Sequence, residues 1–186
     1  MKQLLVGLAL LGVAACGPLV PFVPDKARLP PGAISSGGDP DVAALNQAQW
    51  VFADPGNTRG RPIEAARGAA AIEYVAGHFY TAPRWAFIDA LTLEQLLQGR
   101  RQVRTVLGVV PGAPSQAVVN ALAGAGNALA DGRQDIALSL LGAPVFQGTG
   151  QQTLAVLTNM PYVPEANIST QRAANELFGS NGNSRH

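Results

Sequence analysis

Residues 62–80 read PIEAARGAAAIEYVAGHFY, and this stretch decides the fold class of the chain. Proline at the first position suits the start of a helix, because the N–H that proline lacks would have no intrahelical partner there. The alanines and glycines that follow leave thin faces, which allow a second helix backbone to come close. Tyr74 and Phe79 are among the larger side chains that supply further contacts. We therefore predict a long, closely packed helix from about Pro62 to Tyr80.

Similar signals predict helices on both sides of this segment. Upstream, Asp39 and Pro40 have the residue types of an N-cap and a first helical position, and Asp54 opens a turn that ends the helix. Downstream, Thr92 and Gln95 have the spacing of a capping box. Further helices are predicted from Pro114-Ser115 to Gly132, from Ile136 to Leu141, from about Gln151 to Asn159 and from about Pro164 to Phe178.

No stretch shows the sustained period-two alternation that is typical of strands. Val109-Val110 and Val145-Phe146 are too short to form a sheet. The sequence therefore predicts an all-α fold, an irregular bundle of about six to eight helices joined by proline and glycine corners.

The composition of the chain excludes several classes of function. The chain has 186 residues and a net charge of +1, and only 13% of its residues are charged. A near-balanced charge argues against a dedicated nucleic-acid binder, which is normally strongly basic. A single cysteine excludes a disulfide framework, and two histidines exclude most zinc sites. We expect no bound metal and no cofactor.

The N-terminus has the features of an export signal. Met1-Lys2-Gln3 precedes an apolar run of 11 residues, from Leu4 to Ala14. A membrane-spanning helix needs about 20 residues, whereas a short apolar core behind a positive charge is typical of a secretory signal. We predict that residues 1–15 are a signal peptide.

Val13-Ala14-Ala15-Cys16 closes this segment and resembles the lipobox of bacterial lipoproteins. The resemblance covers the signal alone. It implies that the Cys16 thiol takes a diacylglyceryl group, that cleavage falls between Ala15 and Cys16, and that the new amine is acylated, for instance with palmitate. Gly17 stands where an aspartate would retain such a protein at the inner membrane, which implies the outer membrane, facing the periplasm. The alternatives are simple export with cleavage after Ala15, or a cytosolic protein with an apolar start.

Residues 16–38 contain five prolines and four glycines, and we predict a lipid-anchored flexible tether. If fully extended in the polyproline conformation, residues 17–38 would reach about 68 Å, at ~3.1 Å each. The alternative is that Phe22, Val23 and Leu29 pack onto the domain as an ordered arm. Residues 39–178 are predicted to be the helical domain, and residues 179–186 a disordered tail.

Few residues in the domain point to catalysis. His78 is the one histidine inside it, at the end of an apolar helix, where a structural histidine is the simpler interpretation and a general base the alternative. A general base would need a nucleophile, and the chain has no Gly-x-Ser-x-Gly motif. Glu73 and Asp89 are among the acids that lie in an arginine-rich region, which favours salt bridges over a catalytic pair. Trp85 is interpreted as a core residue or as part of a binding rim.

Arg100 and Arg104 are the candidate contact for an anion or a partner. They are four residues apart and therefore share a helix face, where two guanidinium groups hold one anionic group. The alternative is a solvated helix face. We expect this face to be exposed, so that replacing both arginines leaves stability nearly unchanged.

The sequence thus predicts a membrane-anchored lipoprotein of the bacterial envelope with a helical, non-catalytic interaction domain. Its expected partners are membrane lipid, through acylated Cys16, and another envelope protein, but no nucleic acid. The alternatives are a module that binds a small molecule, a lipid or a cell-wall fragment, and an unrecognised hydrolase. An apolar pocket near Arg100, Arg104 or Trp85 would indicate the binding module, and His78 beside a carboxylate or hydroxyl inside a cleft would indicate the hydrolase.

Overall fold

The computed structural model of the protein describes residues 24–34 and 38–179, and in these residues the fold is all-α, as predicted. The described residues form seven helices: α1 (Pro40–Ala53), α2 (Pro62–Thr81), α3 (Ala90–Leu107), α4 (Ser115–Ala130), α5 (Gln134–Leu140), α6 (Gly150–Thr158) and α7 (Pro164–Gly179). Short 3₁₀ turns cover Pro55–Asn57 and Pro83–Trp85. The two short apolar segments, Val109-Val110 and Val145-Phe146, do not form a sheet in the described residues and are joined by an isolated bridge between Val109 and Phe146.

Helix α2 lies at the centre of the bundle and packs against α1, α3 and α4. Its small residues explain this position. A Cβ atom placed on Gly68 would overlap the Val51 side chain of α1, and one on Gly77 would overlap the backbone of Asp25. Ala65 and Ala69 are fully buried. The alanine-rich face predicted from the sequence is therefore the surface on which neighbouring helices come close.

Two contacts define one end of the bundle. At the start of α1, the Asp41 carboxylate meets His78 near the end of α2. At the start of α3, the Asp89 amide donates to the Glu176 carboxylate near the end of α7, at 2.8 Å. The N-termini of α1 and α3 therefore lie beside the C-termini of α2 and α7. We call this the Asp41 end of the bundle.

Some helix boundaries differ from the prediction because the capping groups differ. Helix α3 begins at Ala90, since the Asp89 side chain accepts from the Leu91 amide and caps the helix there. Thr92 lies inside the helix and donates its hydroxyl to Glu176 at 2.5 Å. The capping box with both reciprocal bonds is formed by Thr149 and Gln152 at the start of α6.

Residues 24–34 form an ordered arm along the bundle, where the sequence had predicted a flexible tether. Ala27 and Ala33 are buried, and Leu29 is half-buried. The Arg28 amide donates to Gln116 at 2.8 Å, and the Gln116 amide group donates back to the Arg28 carbonyl at 3.0 Å. Proline restricts helix and strand but leaves the chain free to lie extended on a surface that satisfies its carbonyls. The ordered-arm alternative therefore describes this segment.

Other predicted segments fall only partly within the described residues. Residues 1–23, which include Phe22, Val23 and the signal, lie outside them, as do 35–37 and 180–186. Gly179, predicted to begin the tail, is the last residue of α7. None of the helices in the described residues combines the length and the hydropathy that a membrane span requires.

Candidate functional site

The candidate site at the Asp41 end is built around a buried carboxylate. Asp39 caps α1 by accepting from the Asp41 and Val42 amides, which places Asp41 in the first turn, facing α2. The Asp41 side chain is only 5% exposed. Burying a carboxylate without partners costs several kcal/mol or more, so its hydrogen bonds decide whether the arrangement is stable.

Three aromatic or heteroaromatic side chains satisfy Asp41. Its Oδ1 accepts from the Tyr74 hydroxyl, and its Oδ2 accepts from the Trp85 indole N–H at 2.8 Å. His78 places Nε2 3.2 Å from Oδ2, and its ring stacks on Tyr74 with centroids 4.8 Å apart. Because Tyr74 and His78 are four residues apart on α2, they share the face that meets α1.

Arg84 closes the outer side of this cluster. Its guanidinium lies 4.2 Å from the Trp85 ring centroid and 3.4 Å from the Asp41 carboxylate, and it forms an ion pair with Asp39. The hydrogen bond from Arg84 lowers the pKa of Asp39, and the same bond raises the pKa of Arg84. Both side chains are well exposed, so we expect little stability from this pair.

The cluster has a carboxylate–imidazole pair but not the other parts of a hydrolytic site. The His78 side chain is 28% exposed, so solvent reaches it. The hydroxyl bonded to the same carboxylate belongs to Tyr74, and burial, with the Asp41 hydrogen bond second, raises the pKa of that hydroxyl. A neutral, buried phenol that donates to a carboxylate is a structural donor rather than a nucleophile. The geometry thus favours the structural interpretation of His78.

The structure places Arg100 and Arg104 in a second cluster, which is internal. Arg104 donates to both oxygens of the buried Glu73 carboxylate, at 2.9 and 2.5 Å. Arg100 lies 3.9 Å from the same carboxylate and donates to the Asp25 carbonyl of the arm at 2.8 Å and to the Ser115 hydroxyl at 3.2 Å.

The prediction that this arginine face is exposed is wrong for Arg100, whose side chain is 10% exposed, and the Arg104 side chain is 21% exposed. Burial lowers the pKa of Arg100. Burial would also lower the pKa of Arg104, but the hydrogen bond and charge of Glu73 outweigh it, so that this pKa is raised. The anion that these two guanidinium groups share is therefore the chain's own Glu73.

The arm takes part in the same cluster through Asp25. The Ser115 amide at the start of α4 donates to the Asp25 carboxylate at 2.5 Å. Pro114 precedes α4 and has no side chain that caps it. A carboxylate is favourable at a helix N-terminus, where it accepts from a free amide and offsets the helix dipole. The arm therefore supplies the cap that the sequence next to α4 lacks.

Two of the surface grooves of the described bundle lie close to these clusters. One, of about 430 Å³, is lined by Arg101, Arg104, the loop 108–112 and Gln147 among others. The other, of about 260 Å³, lies between the arm and the start of α1. His78 lines neither groove.

The remaining candidate residues have structural positions or lie outside the described residues. Trp85 is 4% exposed and packs against Phe79, with ring centroids 4.8 Å apart, so it belongs to the core. Asp89 caps a helix rather than pairing with an arginine. Ala15 and Cys16 fall outside the described residues. Among the described residues, no group of three or more His, Cys, Asp or Glu side chains could hold a metal ion.

No family model, no curated protein and no solved structure matches this chain.

Proposed function

We propose that the chain is a lipid-anchored lipoprotein of the bacterial envelope whose helical domain works by binding another envelope component. One observation carries this proposal: the sequence Val13-Ala14-Ala15-Cys16 directly follows a short apolar run, and its cysteine is the only one in the chain. Several acyl chains, at about 0.8 kcal/mol per buried CH₂, would make the anchor effectively permanent.

The internal clusters support a binding role over a catalytic one. The carboxylate of Asp41 and the guanidinium groups of Arg100 and Arg104 are bonded to other groups of the same chain. Groups used in this way hold the bundle together. The chain is therefore proposed to present a preformed surface, held at the membrane by its N-terminus.

The anchor is tested with two variants at neighbouring positions. Cys16→Ser should remove the lipid mass and release the protein from membranes in flotation. Gly17→Asp should keep the lipid mass but move the protein from the outer to the inner membrane fraction. A wild-type protein without lipid mass, or a Cys16→Ser protein that still floats, would refute the lipoprotein proposal. In vivo crosslinking of the wild type, with Cys16→Ser as control, should then capture an envelope protein only from the anchored form.

The groove beside Arg104 favours a second candidate function, binding of a small ligand. Its volume of about 430 Å³ falls within the range of small-molecule sites, about 300–1,000 Å³. Two arginines line this groove. Arg104 is paired with Glu73, whereas Arg101 is exposed and has no acidic partner among the described residues. Native mass spectrometry of the purified wild type, with Arg101→Ala as control, tests this candidate. A bound mass that is lost in the variant would support it, and an empty wild type would count against it.

A further inference from the structure

We infer that the Asp41 end of the bundle rests on the phospholipid surface, with exposed apolar side chains inserted at the interface. This inference depends on the proposed lipid anchor. It starts from the arm, because residues that are fixed along the bundle do not extend the tether. The chain leaves the described bundle at Pro24, which is buried, and Cys16 is eight residues earlier.

Those eight residues limit how far the bundle stands from the bilayer. At ~3.3–3.6 Å per residue, they span at most about 26–29 Å. Helix α2 alone has 20 residues, or about 30 Å at ~1.5 Å per residue. These residues thus reach no further than the length of α2, so the part of the bundle nearest to Pro24 stays within about 26–29 Å of the membrane.

Contacts of the arm place its start near the Asp41 end. The Asp25 backbone lies against Gly77, one turn before the end of α2. Tyr80, three residues after Gly77, is a neighbour on the same helix surface and is 36% exposed. The anchored chain therefore emerges beside an exposed aromatic residue.

Further large apolar side chains are exposed at the same end. Phe87 is 53% exposed, and its ring lies 5.9 Å from that of Trp85, which is bonded to Asp41. Leu91 is 53% exposed at the start of α3, and Phe178 is 46% exposed at the end of α7. Aromatic residues are favourable at the membrane interface, and interfacial apolar side chains lie about 5–10 Å into the headgroup boundary.

The charges of this end are compatible with a lipid surface. The acids Asp39, Asp89 and Glu176 all accept hydrogen bonds from the chain itself. Lys26 is exposed near the start of the arm, where it would face anionic headgroups. Glu94, one turn after Leu91 on α3, is exposed at the same end and has no hydrogen bond or ion pair among the described residues. The apolar side chains, more than the charges, therefore carry the inferred contact with the bilayer.

The test uses full-length lipidated protein in vesicles of phosphatidylethanolamine and phosphatidylglycerol. Because the lipid occupies Cys16, a Phe87→Cys or Asp131→Cys variant has one thiol for a spin label. Asp131 is at the opposite end of the bundle, since the nearby Gly126 packs against Ala66 in the first half of α2. Relaxation by oxygen and by a water-soluble nickel complex then gives the depth of each label.

We expect the label at position 87 to lie about 5–10 Å below the headgroup level and the label at 131 to lie in water. Lipid mass is measured on the same samples. Absence of lipid would refute the anchor itself. A lipidated protein whose two labels are equally exposed to nickel would refute only the membrane contact. A label at 87 that is shielded from both reagents would indicate a second protein copy and would also overturn it.

A second measurement places the spin label at position 178, through Phe178→Cys, and removes other exposed apolar side chains. Phe87→Ser combined with Leu91→Ser should raise a label at position 178 out of the membrane. Ile136→Ser combined with Tyr162→Ser replaces two exposed apolar residues elsewhere and should leave that label in place. Equal label depths in the two double variants would contradict the inference.

Discussion

Replacing Glu73 by glutamine should destabilise the bundle strongly, because Glu73 is the shared counter-charge of two arginines. Its side chain is 3% exposed, and it accepts both hydrogen bonds of the Arg104 fork while lying 3.9 Å from Arg100. Glutamine keeps the size and one acceptor oxygen. The substitution therefore removes the negative charge of Glu73 and leaves two largely buried guanidinium groups without it.

The expected magnitude follows from the cost of an unpaired buried charge. Removing one partner of a buried ion pair typically costs ~3–5 kcal/mol. The Asp25 carboxylate also attracts both arginines and remains in the variant, so we expect the lower part of this range. In a protein of this size the range corresponds to a fall in Tm of about 6–20 °C.

Urea unfolding followed by circular dichroism measures this effect, with Glu64→Gln as the matched control. Glu64 is also on α2, but its side chain is 33% exposed and its ion pair with Arg67 spans 3.5 Å. Such a pair contributes at most about 1 kcal/mol. If the two variants unfold within about 1 kcal/mol of each other, the internal arginine cluster does not stabilise the fold as argued.

Three further changes test other contacts. Gly77→Ala should displace the arm at a cost of about 1–3 kcal/mol, so that trypsin cuts the arm faster. Gly126→Ala is the control, because its Cβ would meet only ordinary contacts and should leave the rate of cleavage unchanged. Tyr74→Phe should cost ~1–3 kcal/mol in chemical unfolding, because the buried carboxylate of α1 loses a donor. Arg84 lowers the pKa of Asp39, so the stability from this pair is complete above the ordinary pKa of 3.8 and is lost as the pH falls through the lower folded value. Arg84→Ala should therefore cause a small loss of stability at pH 7 and a smaller one in strong acid, measured by urea unfolding at the two pH values. An equal loss at both would argue against the linkage.

Local signals predicted the helices well because each signal acts within one turn. Asp39 and Pro40 begin α1 as expected, and Gly108 ends α3 in the left-handed conformation. The start of α3 was missed because two capping signals overlap there, and Asp89 is the residue that caps. The choice depends on Glu176, which is distant in sequence and binds both the Asp89 amide and Thr92.

The arginine face shows why site prediction from the sequence was weaker. The four-residue spacing shows that Arg100 and Arg104 lie on the same face of a helix, but it does not show which part of the protein packs against that face. The arginine-rich region did favour salt bridges for its acids, and Glu73 forms one. What the sequence lacked was the direction of the arm, which brings the Asp25 carbonyl onto Arg100.

The Asp41 cluster depends on three segments meeting and had only a faint signal in the sequence. Tyr74 and His78 lie four apart on an otherwise apolar face of α2, which indicates that something polar faces them. That partner is Asp41, and the turn after α2 adds the indole of Trp85. The cluster fixes the start of α1 and the turn after α2 to one another, while Asp25 fixes the arm to α4 nearby. These two sets of hydrogen bonds hold the arm, α1, α2 and α4 in fixed positions at this end, so the side chains inferred to meet the membrane would be presented on one preformed surface.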